Sequence, residues 1–348
     1  MIGALLVGAP IAQEHCFAQE APRMDAWGIT AVDGLELGHH TLAERPTGCT
    51  VIIARDGAVG GVDVRGSAPG SREIALLDPV NTVEQVNAVV LSGGSAFGLS
   101  VGDGVMRYLD ERDVGYRVGR KVVPIVVGAI LYDLGLEGDE RIRPGPDCGY
   151  DAASAASSRP PEEGSVGAGA GATIGKMGGG GRMKGGFGTA SVTLDNGLTV
   201  AAAVAVNAVG DVVDPATGEV VAGMVNDDGT FVDARRFLRE GGRRDDAPDE
   251  AGANTTIGLV ATNARLTKAQ APKIAQLGQN GFARAIYPAH TAGDGDTVFS
   301  LATGTWDGEA NVTVVGALAA DVMAEAILRA VRLAEGLPGI PGVSDLGR

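Results

Sequence analysis

From Gly28 onward, short apolar runs alternate with clusters of glycine, aspartate and asparagine. GCTVIIA, Gly48 to Ala54, reads as a strand, and DGAVGGVDVRG, Asp56 to Gly66, as a hairpin continuing from it. VEQVNAVVLS, Val83 to Ser92, predicts a further strand. In the segment after it, Phe97, Val101, Val105 and Leu109 recur every four residues, one face of a helix. VVPIVVGAILYDL is a buried run ending in the pair Tyr132-Asp133. Two strands flank the turn Asp195-Asn196-Gly197. The alternation then resumes with a strand after Thr255, a helix through Lys268 to Gln279, a strand after Asp296, another at NVTVVG, Asn311 to Gly316, and a C-terminal helix, Asp321 to Glu335. That helix turns Val322, Ala326, Leu328 and Leu333 inward, with Glu325, Arg329 and Arg332 outward. Strands that dominate a core and helices that cover it define a layered α/β protein.

One stretch breaks the pattern. Asn226 to Gly252 is dense in charge, glycine and turn formers and reads mostly as an exposed linker. It runs into ANTTIGLVATN, Ala253 to Asn263, where a polar Asn-Thr-Thr triplet meets the apolar run of a strand covered on both faces. Asparagine and threonine are ordinary residues at a strand entry, bonding to nearby backbone. The triplet and Asn311-Val312-Thr313 also match the glycosylation acceptor of secreted eukaryotic chains. A sharper reading is that the chain is cut before Thr255, leaving a threonine whose own α-amine serves as base for its hydroxyl.

Composition narrows the field. The 348 residues are 45% hydrophobic and 20% charged, enough for a substantial core in one large domain or two ordinary ones. Fifty-five glycines and 4% aromatics imply tight turns and close backbone approach. A net charge of −15 without a basic cluster argues against nucleic acid. No run approaches the roughly 18 apolar residues of a membrane span. Cys16, Cys49 and Cys148 are too few and too scattered for a disulfide framework or zinc site, so a reducing cytoplasm is expected. Residues 1–23 read either as a weak export signal, which would make the location periplasmic, or as an extension ahead of a start at Met24.

Several familiar chemistries fail on their motifs. In the Gly-rich block, Ser165 to Ser191, Ala170 stands where a phosphate loop needs its first glycine, and Met177 follows Lys176 where a hydroxyl should ligate magnesium. What remains is backbone able to pass close to another group, with Lys176 beside it. The segment SGGSAFG lacks the last glycine of a nucleophile elbow. His15, His39, His40 and His290 show no metal spacing, and His39 and His40 point opposite ways on a strand. In HTAGDGDTVF, Val298 stands where a calcium loop needs its third oxygen ligand. Asp294 and Asp296 fit a plain turn. On an extended segment they share a side, where they suit an ammonium or hydroxyl. These pieces form one mechanism. Thr255 is the nucleophile, its α-amine, which ordinarily titrates at about 7.7 to 8.0, is the base, the two aspartates orient the amine, and an amide such as Asn207 stabilises the oxyanion. It calls for no cofactor or metal.

The five segments ANTTIGLVATNARLT, DGDTVF, KGGFGTAS, AVNAVGDV and NAVVLSGGSAFGL, which occur along the chain in the family's order, together resemble the DmpA-type aminopeptidase/amidase family, which includes β-aminopeptidases and nylon-oligomer hydrolases of the NylC type. The likeness spans roughly Gly28 to Leu333. It implies a four-layer αββα sandwich like that of N-terminal-nucleophile hydrolases but with different strand connectivity. It also implies self-cleavage into two chains of a single domain, residues 24–254 and 255–348, which stay together in a homo-oligomer, usually a tetramer of such pairs. Position by position, Thr255 matches the nucleophile and Asn254 the residue before the cut. Asp294 and Asp296 match the nylon-hydrolase carboxylates, where the peptidase branch carries a serine and a glutamate. Asn207 matches the oxyanion-hole asparagine, and Tyr132 and Lys176 supporting residues. The implied substrates are small peptides, amino-acid amides or ω-amino oligomers. An acyl transferase resembling ornithine acetyltransferase is the rival reading, although its usual ATML at the cut is missing, and a non-catalytic binding homologue is a third. Replacing either aspartate by asparagine is expected to cost activity and leave thermal stability nearly unchanged.

Overall fold

The computed structural model describes residues 27–178, 180–242 and 254–347. Residues 1–23 and the end of the linker, 243–253, lie outside the described residues. Eight strands carry the argument: β1 (Leu35–Thr41), β2 (Gly48–Val64), β3 (Gln85–Ser92), β4 (Val126–Ile130), β5 (Gly186–Thr193), β6 (Thr199–Val206), β7 (Ile257–Thr262) and β8 (Thr297–Ala302). They run in the order β5-β6-β7-β8-β2-β3-β4, with β1 also paired to β2. β7 with β8 and β3 with β4 are parallel pairs; the others are antiparallel. The helices are α1 (Val101–Asp110), α2 (Pro146–Ala155), α3 (Ala271–Ala285) and α4 (Val312–Arg332).

This path folds over on itself through the 17-residue β2. Its first half pairs with β1 and β3 and its last six residues with β8, so one strand serves both layers. Alternation along the strands then assigns each face. Ile52, Val89, Val127, Ala201, Leu259 and Phe299 meet in the core between the layers. On the outer faces, Val51, Val90 and Val126 pack against α1 and α2, and Val204, Val260 and Val298 against α3 and α4. The result is the expected αββα sandwich. Small side chains let the layers approach: a Cβ on Gly188 of β5 would lie 2.1 Å from the Ala326 carbonyl oxygen of α4.

Five expectations are corrected. Asp56 to Gly66 is no hairpin: Arg55–Gly57 is passed as an irregularity between Ile53 and Ala58, and the strand continues. NVTVVG is the start of α4. The Asn311 side chain accepts from the Thr313 and Val314 amides, at 2.9 and 3.3 Å, so this asparagine is a helix cap and the β-branched residues form the first turn. Phe97 leaves the helix face, because Ser95–Ser100 is a tighter 3-10 turn, and it sits exposed beneath the Arg143 guanidinium. Leu333 lies past the end of α4 and is half exposed. Cys49 and Cys148, 99 residues apart in sequence, come within 6.4 Å between Cα atoms and form a disulfide joining β2 to α2. The linker is also partly held: Ala234, which begins a short helix ending at Arg239, donates its buried amide to Asp211. Among the described residues no helix is long and apolar enough to cross a membrane.

Candidate active site

The strand order assembles the site. Because β7 and β8 are parallel neighbours, they start at the same edge of the sheet. β6 and β2 run antiparallel to them on either side, so both end there. Asn207 follows the end of β6, Thr255 stands two residues before β7, Asp296 immediately precedes β8, and Arg65 to Ala68 follows β2. Residues distant in sequence are thereby brought to one rim.

At that rim the Thr255 amide donates to the Asn207 carbonyl at 3.0 Å, and the Gly295 amide to the Asn254 carbonyl at 3.0 Å. The Thr255 hydroxyl donates to the same Asn254 oxygen at 2.5 Å. The hydroxyl of Thr255 thus lies against the peptide bond that precedes it, and a backbone N–H points at that bond's oxygen. Both Asn254 and Thr255 are buried.

The two carboxylates differ. Asp296 accepts from the Thr256 amide (2.8 Å) through one oxygen, and from the His290 amide (2.9 Å) and His290 Nδ1 (3.0 Å) through the other. Asp294 accepts from the Thr291 amide at 2.7 Å, while its buried Oδ1 has no hydrogen-bond partner among the described residues. Burial first, and then the nearby Asp296 charge, push the Asp294 carboxyl up to about 6, against the opposing hydrogen bonds from Thr291 and the Lys176 charge. Neither aspartate holds the Thr255 amide, which is bonded to Asn207 in the uncut chain. The two are therefore not equivalent, and the expectation that either asparagine variant keeps full stability is corrected for Asp296, whose oxygens hold three donors.

On the other side, Asn207 Oδ1 accepts from Lys176 Nζ at 2.8 Å and the Thr173 amide at 3.0 Å, and its Nδ2 donates to the Tyr132 carbonyl at 3.0 Å. Thr255, Asn254, Asp294, Asp296, Asn207, Lys176 and Tyr132 therefore form one contiguous group. Sequence reading missed His290, Thr173 and Lys184. His290 precedes Asp296 by only six residues, a spacing visible in HTAGDGD. Lys184 is a fully buried lysine that donates to the Gly169 and Gly185 carbonyls at 2.7 and 2.9 Å, pinning the Gly-rich block, and burial lowers its ammonium to about 7. No pattern in the sequence marks it. Among the described residues no cluster of histidine, cysteine or acidic groups could hold a metal.

Residues 28–344 match peptidase family S58. An uncharacterised aminopeptidase of Mycobacterium leprae is 44% identical over 90% of this chain and 92% of its own length. The 6-aminohexanoate-oligomer endohydrolase of a Kocuria species is 30% identical over 86% of this chain and 84% of its own. Among solved structures, the L-aminopeptidase D-Ala-esterase/amidase of Ochrobactrum anthropi, described as a variant of the Ntn-hydrolase fold, superposes with a TM-score of 0.69 at 20% identity, covering 92% of each chain. The fold is thus of the N-terminal-nucleophile hydrolase type. The chain belongs to peptidase family S58 and is a hydrolase of peptide or amide bonds.

Proposed function

We propose that the chain cuts itself between Asn254 and Thr255 and that the freed Thr255 hydrolyses small amides, with ω-amino oligomers and amino-acid amides as the substrate class. The observation that carries this reading is the Thr255 hydroxyl 2.5 Å from the Asn254 carbonyl oxygen, which also receives the Gly295 N–H. In self-cleavage the hydroxyl oxygen attacks the Asn254 carbonyl carbon and its proton passes to a base. Asp294, with its unpartnered oxygen and raised carboxyl, is suited to that task. The Gly295 N–H stabilises the oxyanion. The C–N bond then breaks, the Thr255 amine takes a proton, and water hydrolyses the resulting ester to leave the Asn254 carboxylate and an N-terminal threonine.

In turnover the α-amine replaces Asp294 as base. The substrate acyl group forms an ester on Thr255, its amine part leaves protonated, and water releases the acid. Asn207, held by Lys176 and Thr173, lies beside the nucleophile and gives its amide to the substrate oxyanion once the cut frees the site. The 6-aminohexanoate-oligomer relative and the Asp294/Asp296 pair together favour ω-amino oligomers. The cleaved pairs form a homo-oligomer, a tetramer by family resemblance. The Cys49–Cys148 disulfide favours an oxidising compartment over the cytoplasm expected from the sequence. The test incubates cleaved protein with amino-acid p-nitroanilides, a 6-aminohexanoate oligomer, and acetyl-ornithine plus glutamate. Hydrolysis of an amide is expected; acetyl transfer with no amide hydrolysed would replace this reading with the transferase.

A further inference from the structure

A cavity opens beside Asn207, enclosing about 40 Å³ between Tyr132, Asp133, Leu136, Thr173, Lys176 and Arg182. One water needs roughly 10–15 Å³ on this measure, so a few water-sized groups fit and a carboxylate is of that size. Three of the lining residues, Tyr132, Thr173 and Lys176, bond directly to Asn207, whose carbonyl holds the Thr255 amide. The cavity therefore lies one residue, Asn207, away from Thr255, close enough for a group in it to belong to a substrate lying on Thr255.

Its charge runs against that of the chain. Asp133 is buried and fully engaged, one oxygen accepting from the Gly94 amide at 2.9 Å and the other from the Thr47 hydroxyl at 2.5 Å, with the Arg45 guanidinium 3.9 Å away. Lys176 and Arg182 remain as the cations of the lining. They stand on the outgoing and returning limbs of the loop that joins Thr173–Ile174 to Met183–Lys184, a two-stranded ribbon. Gly181 is tied by paired backbone bonds to Val225, at 2.7 and 2.9 Å, which fixes where Arg182 begins. Arg182 is half-buried and makes no hydrogen bond or ion pair among the described residues. A partly desolvated guanidinium presents a planar fork matched to a carboxylate, and two cations repel an ammonium.

We propose that Arg182 is the specificity residue of this site and receives a substrate carboxylate, so that the favoured substrates are amides bearing a free carboxylate, such as oligomers with an unblocked carboxyl end. This rests on the proposed amide hydrolysis at Thr255, and it separates these substrates from neutral amides that carry only a free amine.

The test has two parts. Calorimetric titration of the purified protein compares 6-aminohexanoate with its neutral amide. Because hydrogen bonds to charged groups are worth about tenfold or more in affinity, wild type should prefer the acid by about tenfold. Arg182→Gln and Arg182→Ala should lose that preference without a change in melting temperature, and Arg182→Lys should keep part of it. Wild type that binds the acid no better than the amide, or a folded neutral variant that keeps the preference, overturns the inference. In the second part, hydrolysis of a linear 6-aminohexanoate dimer is compared with that of its methylamide. Equal KM for both overturns the inference and leaves amide hydrolysis standing. Binding of the acid through Arg182, with neither dimer nor any amino-acid p-nitroanilide cleaved, overturns the proposed function and leaves Arg182 as a carboxylate site alone.

Discussion

Gly295 and Thr255 are packed so closely that a Cβ added to Gly295 would lie 2.8 Å from the Thr255 hydroxyl oxygen and 2.7 Å from the Ala68 carbonyl. The close packing against Thr255 thus requires a glycine between the two aspartates. The Gly295→Ala variant should fold, since overpacking costs about 1–3 kcal/mol, but its hydroxyl is displaced from the Asn254 carbonyl. We expect full-length chain on a denaturing gel at times when wild type is completely cut. Processing at the wild-type rate would show that this packing is irrelevant to the cut.

Asp294 and Asp296 should respond to asparagine in opposite directions. In a Thr255→Ala background, which keeps every chain uncut, Asp296→Asn places an amide against donors from His290 and should lower stability by about 1–3 kcal/mol. Asp294→Asn keeps an acceptor for the Thr291 amide and removes a buried charge. It should melt at or above the parent temperature near neutral pH. Equal losses for the two variants would contradict the assignment of separate roles.

The pH dependence carries a sign. The folded carboxyl of Asp294 titrates at about 6, above its ordinary 3.8, so the folded state binds this proton more tightly than the unfolded state. The stability it contributes is full below about pH 4 and is lost as pH rises through 6, by at most about 3 kcal/mol. Melting the uncut Thr255→Ala chain with and without Asp294→Asn across this range should give curves that coincide near pH 4 and diverge toward pH 7, the asparagine variant higher. A gap that is constant with pH would remove the raised carboxyl from the account.

His290 holds a backbone φ of +59° while bonding Asp296 through Nδ1. Asparagine tolerates that conformation and carries a donor of similar reach. His290→Asn should therefore process at nearly the wild-type rate, whereas His290→Ala should cut several-fold more slowly and lose about 1 kcal/mol of stability. Equal behaviour of the two variants, followed by gel and by melting, would deny His290 a part in positioning Asp296.

Much of this arrangement was legible because the candidate residues sit at strand ends. Thr255 and Asp296 each precede a continuous apolar run, so reading the strands located the residues at their ends. Asn207, which follows the end of β6, was reached as an amide donor and through the family resemblance. What escaped depends on contacts across the fold. The proximity of Cys49 and Cys148 requires α2 to lie on β2, and Lys184 gains its burial from carbonyls that no local pattern reveals. Arg182 gains meaning only when the ribbon sets it beside Lys176. The error at Asn311 had a local cause: a capping asparagine followed by four β-branched residues carries strand propensity, and the packing of α4 on β5 and β6 overrides it.

In the proposed self-cleavage the hydroxyl of Thr255 cuts the bond that precedes it. Intact mass spectrometry of the purified wild type, with Thr255→Ala beside it, measures this directly. Wild type should give two species, residues 255–348 and a second ending at Asn254, and the variant one uncut chain. An uncut wild type, or a Thr255→Ala chain still divided at this bond, would contradict the account.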